Sequence, residues 1–175
     1  YANMLIKHLG ITSYTMNIWD AVTAIDNQFP TDVEVNKQTA INLPPRIRMA
    51  TLYAISQSLN GRVVNTCNMS ESYVGFDTRY GDSAGDLSPL ANLTKTEVIT
   101  LAKELGLPDE LVHKTPQDGL TGLTDEQSFG FSYAELDAYI RDGIEPNEEV
   151  KAKIDSMHEK NLFKLQPMPS FVYQA

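Results

Sequence analysis

Apolar positions recur along the chain at two periods, and together they predict helices alternating with strands. Residues 2–9 carry Met4, Leu5, Ile6 and Leu9 on one helical face, with Gly10 placed to end the helix. Residues 11–18 alternate weakly and are β-branched or aromatic at several positions, which predicts a strand. A short helix over 20–29 and a polar connection over 30–40 follow. Residues 43–60 predict the longest helix, with Pro44 and Pro45 at its start, where a missing N–H costs little. Its stripe is Ile47, Met49, Leu52, Ile55 and Leu59, and Gly61 closes it. Residues 62–66 read as a short buried strand. Two helices carry capping boxes: 94–105, with Thr94 and Glu97 and then Gly106, and 132–140, with Ser132 and Glu135. Residues 146–161 predict a third amphipathic helix with Val150, Ile154 and Met157 inward. The tail from 165 to 175 holds two prolines and reads as extended. Strands alternating with helices indicate an α/β fold, a parallel sheet with flanking helices.

The stretch from 64 to 98 is the most informative. A strand breaks into a polar, glycine-containing loop and resolves into a capped helix. That order places functional groups at the carboxyl end of a parallel sheet, where open α/β folds bind ligands. The loop and its borders carry Thr66, Ser70, Glu71, Arg79, Asp82, Asp86 and Lys95. Each also has a plain structural reading. Glu71 can simply complement a helix N-terminus, Thr66 can be a β-branched strand residue, and Asp86 after Gly85 can shape a turn. Lys95 can be a solvated helix residue, yet in a first turn it opposes the helix dipole and calls for a nearby anion. Arg46 and Arg48 offer planar forks suited to phosphate or carboxylate.

Composition narrows the classes. The chain has 175 residues, 42% apolar and 21% charged, enough for one domain with a sizeable core. A net charge of −9 argues against a nucleic-acid surface but leaves room for a nucleotide held by a few local cations. No apolar run approaches a membrane span. The single cysteine, Cys67, excludes an internal disulfide and suits a reducing, cytoplasmic setting. No histidine lies near Cys67 in sequence, so a small packed residue is the better reading than a nucleophile. His8, His113 and His158 are scattered without metal-ligand spacing.

The ordered set Thr66-x-x-x-x-Glu71, Gly75-Phe76-x-Thr78-Arg79-Tyr80-Gly81-Asp82, Asp86-x-x-Pro89-Leu90 and Leu93-Thr94-Lys95 resembles ammonia-dependent NAD synthetase. Arg46-Ile47-Arg48-Met49 upstream and Gly130-Phe131-Ser132-Tyr133 and Leu136-Asp137-x-Tyr139 downstream extend the resemblance over nearly the whole chain. It implies an adenine-nucleotide α-hydrolase-like (Rossmann-like) fold. It also implies ATP-dependent amidation of deamido-NAD by ammonia, through an acyl-adenylate, to NAD, AMP and pyrophosphate. The implied roles are Glu71 on Mg2+, Thr66 and Lys95 on ATP, and Arg46, Arg79, Asp86 and Lys164 on deamido-NAD. No side chain is implied as a covalent catalyst. A homodimer is implied as well, and the helix over 43–60 is its candidate interface because Ala50, Tyr53 and Ala54 form a second apolar face.

This chain departs from the family's pattern at several points. Arg79 stands where many relatives have lysine, Gln117 where many have Thr or Ser, and Phe163 before Lys164 where many have histidine. The family's phosphate loop, Ser-Gly-Gly-x-Asp-Ser, does not occur in these residues. The expectation is therefore the C-terminal part of one synthetase domain, incomplete at its N-terminus and inactive in isolation. Two other readings stay open: another ATP-pyrophosphatase-type ligase, and a non-catalytic truncated or oligomerisation fragment.

Overall fold

The computed structural model describes residues 1–117 and 122–173. Helix α1, Ala2–Leu9, ends at Gly10, whose φ of +63° is available to glycine at little cost. Residues 11–18 then run without regular structure and almost wholly exposed, so the expected strand is not formed. A β-ladder needs a neighbouring extended backbone, and among the described residues no bridge joins this segment to one. Helix α2, Trp19–Asp26, follows.

Helix α3, Lys37–Ser58, starts well before the two prolines. Asn36 caps it by accepting from the Thr39 N–H at 2.9 Å, and that cap outweighs the prolines as a start signal. Pro44 and Pro45 therefore lie inside the helix, where each removes one i→i−4 bond. The helix closes at Asn60, φ +51°, rather than at Gly61. Its expected core stripe is only half-buried at Ile47, Met49 and Ile55 and exposed at Leu52 and Leu59.

The expected strand over 62–66 is an extended segment with one parallel bridge, Val64 to Leu87. Asn65 N donates to Leu87 O at 2.8 Å and Asp86 N to Val63 O at 2.7 Å. Among the described residues the other pairing is an isolated antiparallel bridge, Gln117 to Thr124. The helices α4, Met69–Val74, and α5, Lys95–Glu104, flank the polar loop, and each starts with a capping box. Short α6, Asp109–Val112, and α7, Asp125–Phe129, follow. Helix α8, Tyr133–Asp137, runs into a π-helical turn, Ala138–Asp142. Helix α9, Glu148–Leu165, then leads into the extended tail, whose last two residues lie outside those described.

The core lies at the end of the chain that carries α4 and α7–α9. Val74, Phe129, Phe131, Tyr133, Leu136, Val150 and Ile154 form it, and Leu136 and Ile154 are fully enclosed. Phe129 meets Phe76 and Tyr133 edge-on, at 4.6 and 5.5 Å between ring centroids. Helix α9 lies along α4, with His158 stacked on Tyr73 at 4.0 Å and Asn161 donating to Val74 O at 3.3 Å. Gly75 permits this approach, because a Cβ there would come within 2.1 Å of the Asn161 side chain. The outcome is a rigid platform beneath α4 and the first turn of α5, the two elements that carry Glu71 and Lys95.

Candidate functional site

Glu71 and Lys95 meet. Lys95 Nζ donates to Glu71 Oε1 at 2.8 Å, with both side chains about four-fifths covered. Glu71 Oε2 closes the α4 capping box by accepting from Asn68 N at 3.3 Å. One carboxylate thus serves a helix end with one oxygen and a lysine with the other. Lys95 Nζ also lies 5.1 Å from the centre of the Tyr133 ring, a cation–π distance. The tyrosine is held in turn by its hydroxyl, which donates to Asp125 Oδ2 at 2.8 Å. Burial raises the Tyr133 phenol, and the charges of Glu71 and Asp125 raise it further, so it stays protonated.

Thr66 lies exposed on the extended segment that leads to α4. Its neighbour Cys67 is pushed up to about 12, first by burial and then by the charges of Asp82, Asp77 and Glu71. A thiol so placed stays neutral and is no nucleophile, in agreement with the sequence reading. Of these acidic residues Asp82 is in contact, its Oδ2 lying 4.0 Å from Cys67 Sγ. Asp77 is itself raised by burial, partly offset by Lys164.

Of the other expected residues, Arg46 and Arg79 meet directly. Arg46 Nε donates to Arg79 O at 3.2 Å, which brings α3 to the loop. The Arg79 guanidinium lies between two rings, 5.1 Å from Tyr80 and 5.3 Å from Phe163. Phe163, where many relatives have histidine, thus supports an arginine that stands where many have lysine. Lys164 Nζ donates to Gly75 O and Asp77 O, both at 2.7 Å, and lies 3.3 Å from Asp77 Oδ1. It ties the loop after α4 to the end of α9. Asp86 Oδ2 accepts from Val63 N at 2.7 Å, so this carboxylate holds the extended segment against its loop. Gln117, exposed, engages Thr124 through its backbone bridge.

The sequence marks Ser70 in the loop and Asp137 in the downstream motif, but not the buried bond between them behind these groups. Ser70 and Asp137 are hydrogen-bonded to each other and to the start of α5. The capping boxes were legible; a bond between residues so far apart in sequence was not. Among the described residues no cluster of three or more His, Cys, Asp or Glu side chains has metal-binding geometry. Magnesium takes few protein carboxylates and completes its shell with phosphate and water, and Glu71 could give it one oxygen in exchange for the present bond to Lys95. The pairing of Lys95 with Glu71 sets a compact cation beside that oxygen donor, so each charge is satisfied by the other.

Residues 1–169 match the NAD synthase family model. The NH3-dependent NAD+ synthetase of Finegoldia magna is 37% identical over 173 residues, 98% of this chain and 70% of that protein. That of Carboxydothermus hydrogenoformans is 37% identical over 168 residues, 93% of this chain and 68% of the other. Among solved structures, the NMN synthetase from Francisella tularensis is similar with a TM-score of 0.91 at 33% identity, covering 98% of this chain and 71% of its own. The NH3-dependent NAD synthetase from Campylobacter jejuni is similar at 0.72 and 28% identity, over 97% and 69%.

Proposed function

The chain belongs to the NAD synthase family, and we propose from that membership that it is an ammonia-dependent ligase forming NAD from deamido-NAD. In the first step a carboxylate oxygen of the nicotinate attacks the α-phosphorus of ATP, and the bond to pyrophosphate breaks. In the second, ammonia attacks the carbonyl carbon of the acyl-adenylate, the bond to AMP breaks, and the nitrogen loses a proton. Both steps bring anions together or release one, so fixed positive charge is the main requirement. Lys95, supported by Tyr133, supplies it to the ATP phosphates, and Thr66 offers a hydroxyl to the same nucleotide. Arg46 and the ring-clamped Arg79 face deamido-NAD, with Asp86 and Lys164 shaping the loops around them. Mg2+ bound at Glu71 would neutralise phosphate charge. The family match over residues 1–169 carries this reading, and the Lys95–Glu71 pair at 2.8 Å puts a phosphate-type cation and a magnesium-type donor in one place. The parallel sheet belongs to the same proposal, supported by the parallel bridge at Val64, as do a cytoplasmic location and a homodimer.

A second reading concerns the acceptor. The likeness to the NMN synthetase is higher than that to the Campylobacter NAD synthetase, 0.91 against 0.72. Backbone similarity alone does not select an acceptor, and the relatives at 37% identity are NH3-dependent NAD+ synthetases, so nicotinate mononucleotide, a shorter substrate with the same reacting carboxylate, is the second acceptor to test. The decisive assay gives the protein, expressed from its complete reading frame, ATP, magnesium and ammonium with either deamido-NAD or nicotinate mononucleotide. AMP and pyrophosphate formed with one acceptor and not the other choose between the readings. Their absence with both defeats the ligase proposal.

A further inference from the structure

Lys95 is the first residue of α5, and a helix normally disfavours a cation there. The reason it is tolerated lies in α8. Asp137 is buried, and its carboxylate is directed at the start of α5. Oδ2 accepts from Thr96 N at 2.8 Å and from Thr96 Oγ1 at 2.7 Å. Oδ1 accepts from Ser70 Oγ, and Ser70 Oγ in turn accepts from Lys95 N at 2.9 Å. The next N–H, that of Glu97, goes to Thr94 Oγ1 at 3.3 Å. The first three backbone donors of α5 are therefore all taken by the chain's own side chains. Such a helix end has no free N–H fork to offer a phosphate. Its positive end is already matched by the Asp137 carboxylate, so the group of α5 that remains to meet phosphate is the Lys95 side chain, which here is paired with Glu71.

Helix α8 holds Lys95 at both ends. Asp137, through Ser70, fixes its backbone, and Tyr133, four residues earlier on the same helix, lies beneath its ammonium at 5.1 Å. Ser70 is also the residue before Glu71, so the same bond sets α4 relative to α5. We propose that Asp137 is a positioning residue for the ATP half-site: acting through Ser70 and Thr96, it sets the Lys95 side chain against Glu71 and leaves that side chain, rather than the helix backbone, to carry phosphate. This rests on the ATP role assigned to Lys95 above.

The test is steady-state kinetics on the protein from its complete reading frame, with amide hydrogen exchange beside it. Asp137→Asn keeps the shape but cannot accept three donors. It should raise the KM for ATP about tenfold and leave that of the nicotinate nucleotide within about twofold. Exchange at the Lys95 and Thr96 amides should quicken while that at Ile154 in the core stays slow. Thr96→Val removes one of the same bonds with less risk to folding and should act in the same direction; Thr96→Ser, which keeps the hydroxyl, should restore the ATP KM. Equal rises in both KM values, with fast exchange throughout, would mean a general structural role and overturn the inference. So would an unchanged ATP KM in both Asp137→Asn and Thr96→Val when Lys95→Met raises it. An unchanged ATP KM in Lys95→Met sinks the ATP assignment itself, and the inference with it.

Discussion

Glu71 and Lys95 each stand where a helix end places its own demands on them. Glu71 satisfies the start of α4, whereas Lys95 opposes the start of α5 and is compensated from α8. The two substitutions should therefore differ. Glu71→Gln keeps a capping acceptor but loses the charge, so magnesium-dependent turnover should fall with little loss of stability. A thermal melt and a magnesium titration check both halves; unchanged magnesium dependence would make Glu71 structural. Lys95→Ala should weaken ATP use, whereas Arg46→Ala should weaken use of the nicotinate nucleotide, each seen as a selective rise in KM. Asp86→Ala should do the latter and also loosen the segment at Val63, whose N–H it holds. Cys67 gives a pH test. Its thiol is raised in the folded chain from 9.0 to about 12. The folded state thus holds this proton more tightly, and its contribution is full below pH 9 and lost as pH rises from 9 towards 12. Unfolding free energy measured over that range should decline less in Cys67→Ala. Iodoacetamide at pH 9 should modify the native thiol far more slowly than a free cysteine.

At the scale of elements, α4, α8 and α9 share one core, and their side chains are held from several sides at once. Leu136→Ala and Ile154→Ala each empty a fully enclosed site and should cost about 2–5 kcal/mol in denaturant unfolding. Since α8 also carries Tyr133 and Asp137, Leu136→Ala should weaken ATP use beyond its effect on stability. Gly75→Ala should be similarly severe for a different reason. Its φ of +68° strains an L residue, and its Cβ would strike Asn161 on α9. Loss of that close approach would release Lys164 from the loop it ties. By contrast, the Arg141–Glu97 pair between the π-helical turn and α5 is well exposed, and Arg141→Met, which leaves the Glu97 cap of α5 in place, should leave the unfolding midpoint nearly unchanged.

Over the whole molecule, the apolar surface is unevenly covered. The part formed by α4–α9 encloses the aromatic core and leaves Leu105, Ile144 and Phe163 exposed around it. The half formed by residues 11–18, α2 and α3 presents Tyr14, Met16, Trp19, Leu52 and Leu59 to solvent. Between Tyr14, Met16, Ala54, Ile55 and Leu59 lies an open groove of about 650 Å³. Faces of this kind are normally covered by other protein. Part of this face is the one expected from the second apolar side of the long helix, and Ala50 and Ala54 do line it. The homodimer proposal therefore predicts that Ala54→Glu shifts sedimentation toward a lighter species. A species that sediments as a monomer before and after the change would remove α3 as the interface.

Local signals in the sequence settled local outcomes. Thr94 with Glu97 and Ser132 with Glu135 became capping boxes, Gly10 and Gly106 took left-handed φ values, and Val150 and Ile154 turned inward. Each of these depends on residues a few positions apart, whose geometry a helix dictates by itself. The family was legible for a related reason, since its loop residues keep a fixed order and spacing. Elements that depend on distant partners were not legible. Residues 11–18 and 62–66 have strand-like side chains, but a strand exists only beside another backbone. The stripe on α3 is apolar, yet only its neighbours decide whether it is core. Asp137 is marked in the sequence only as part of the Leu136-Asp137-x-Tyr139 motif, which names no partner for its carboxylate. Its tie to Ser70 and Thr96, which sets Lys95 against Glu71, comes from α8 docking on α4 and α5. Only the tertiary structure decides such a contact, because it brings together side chains that no local periodicity relates.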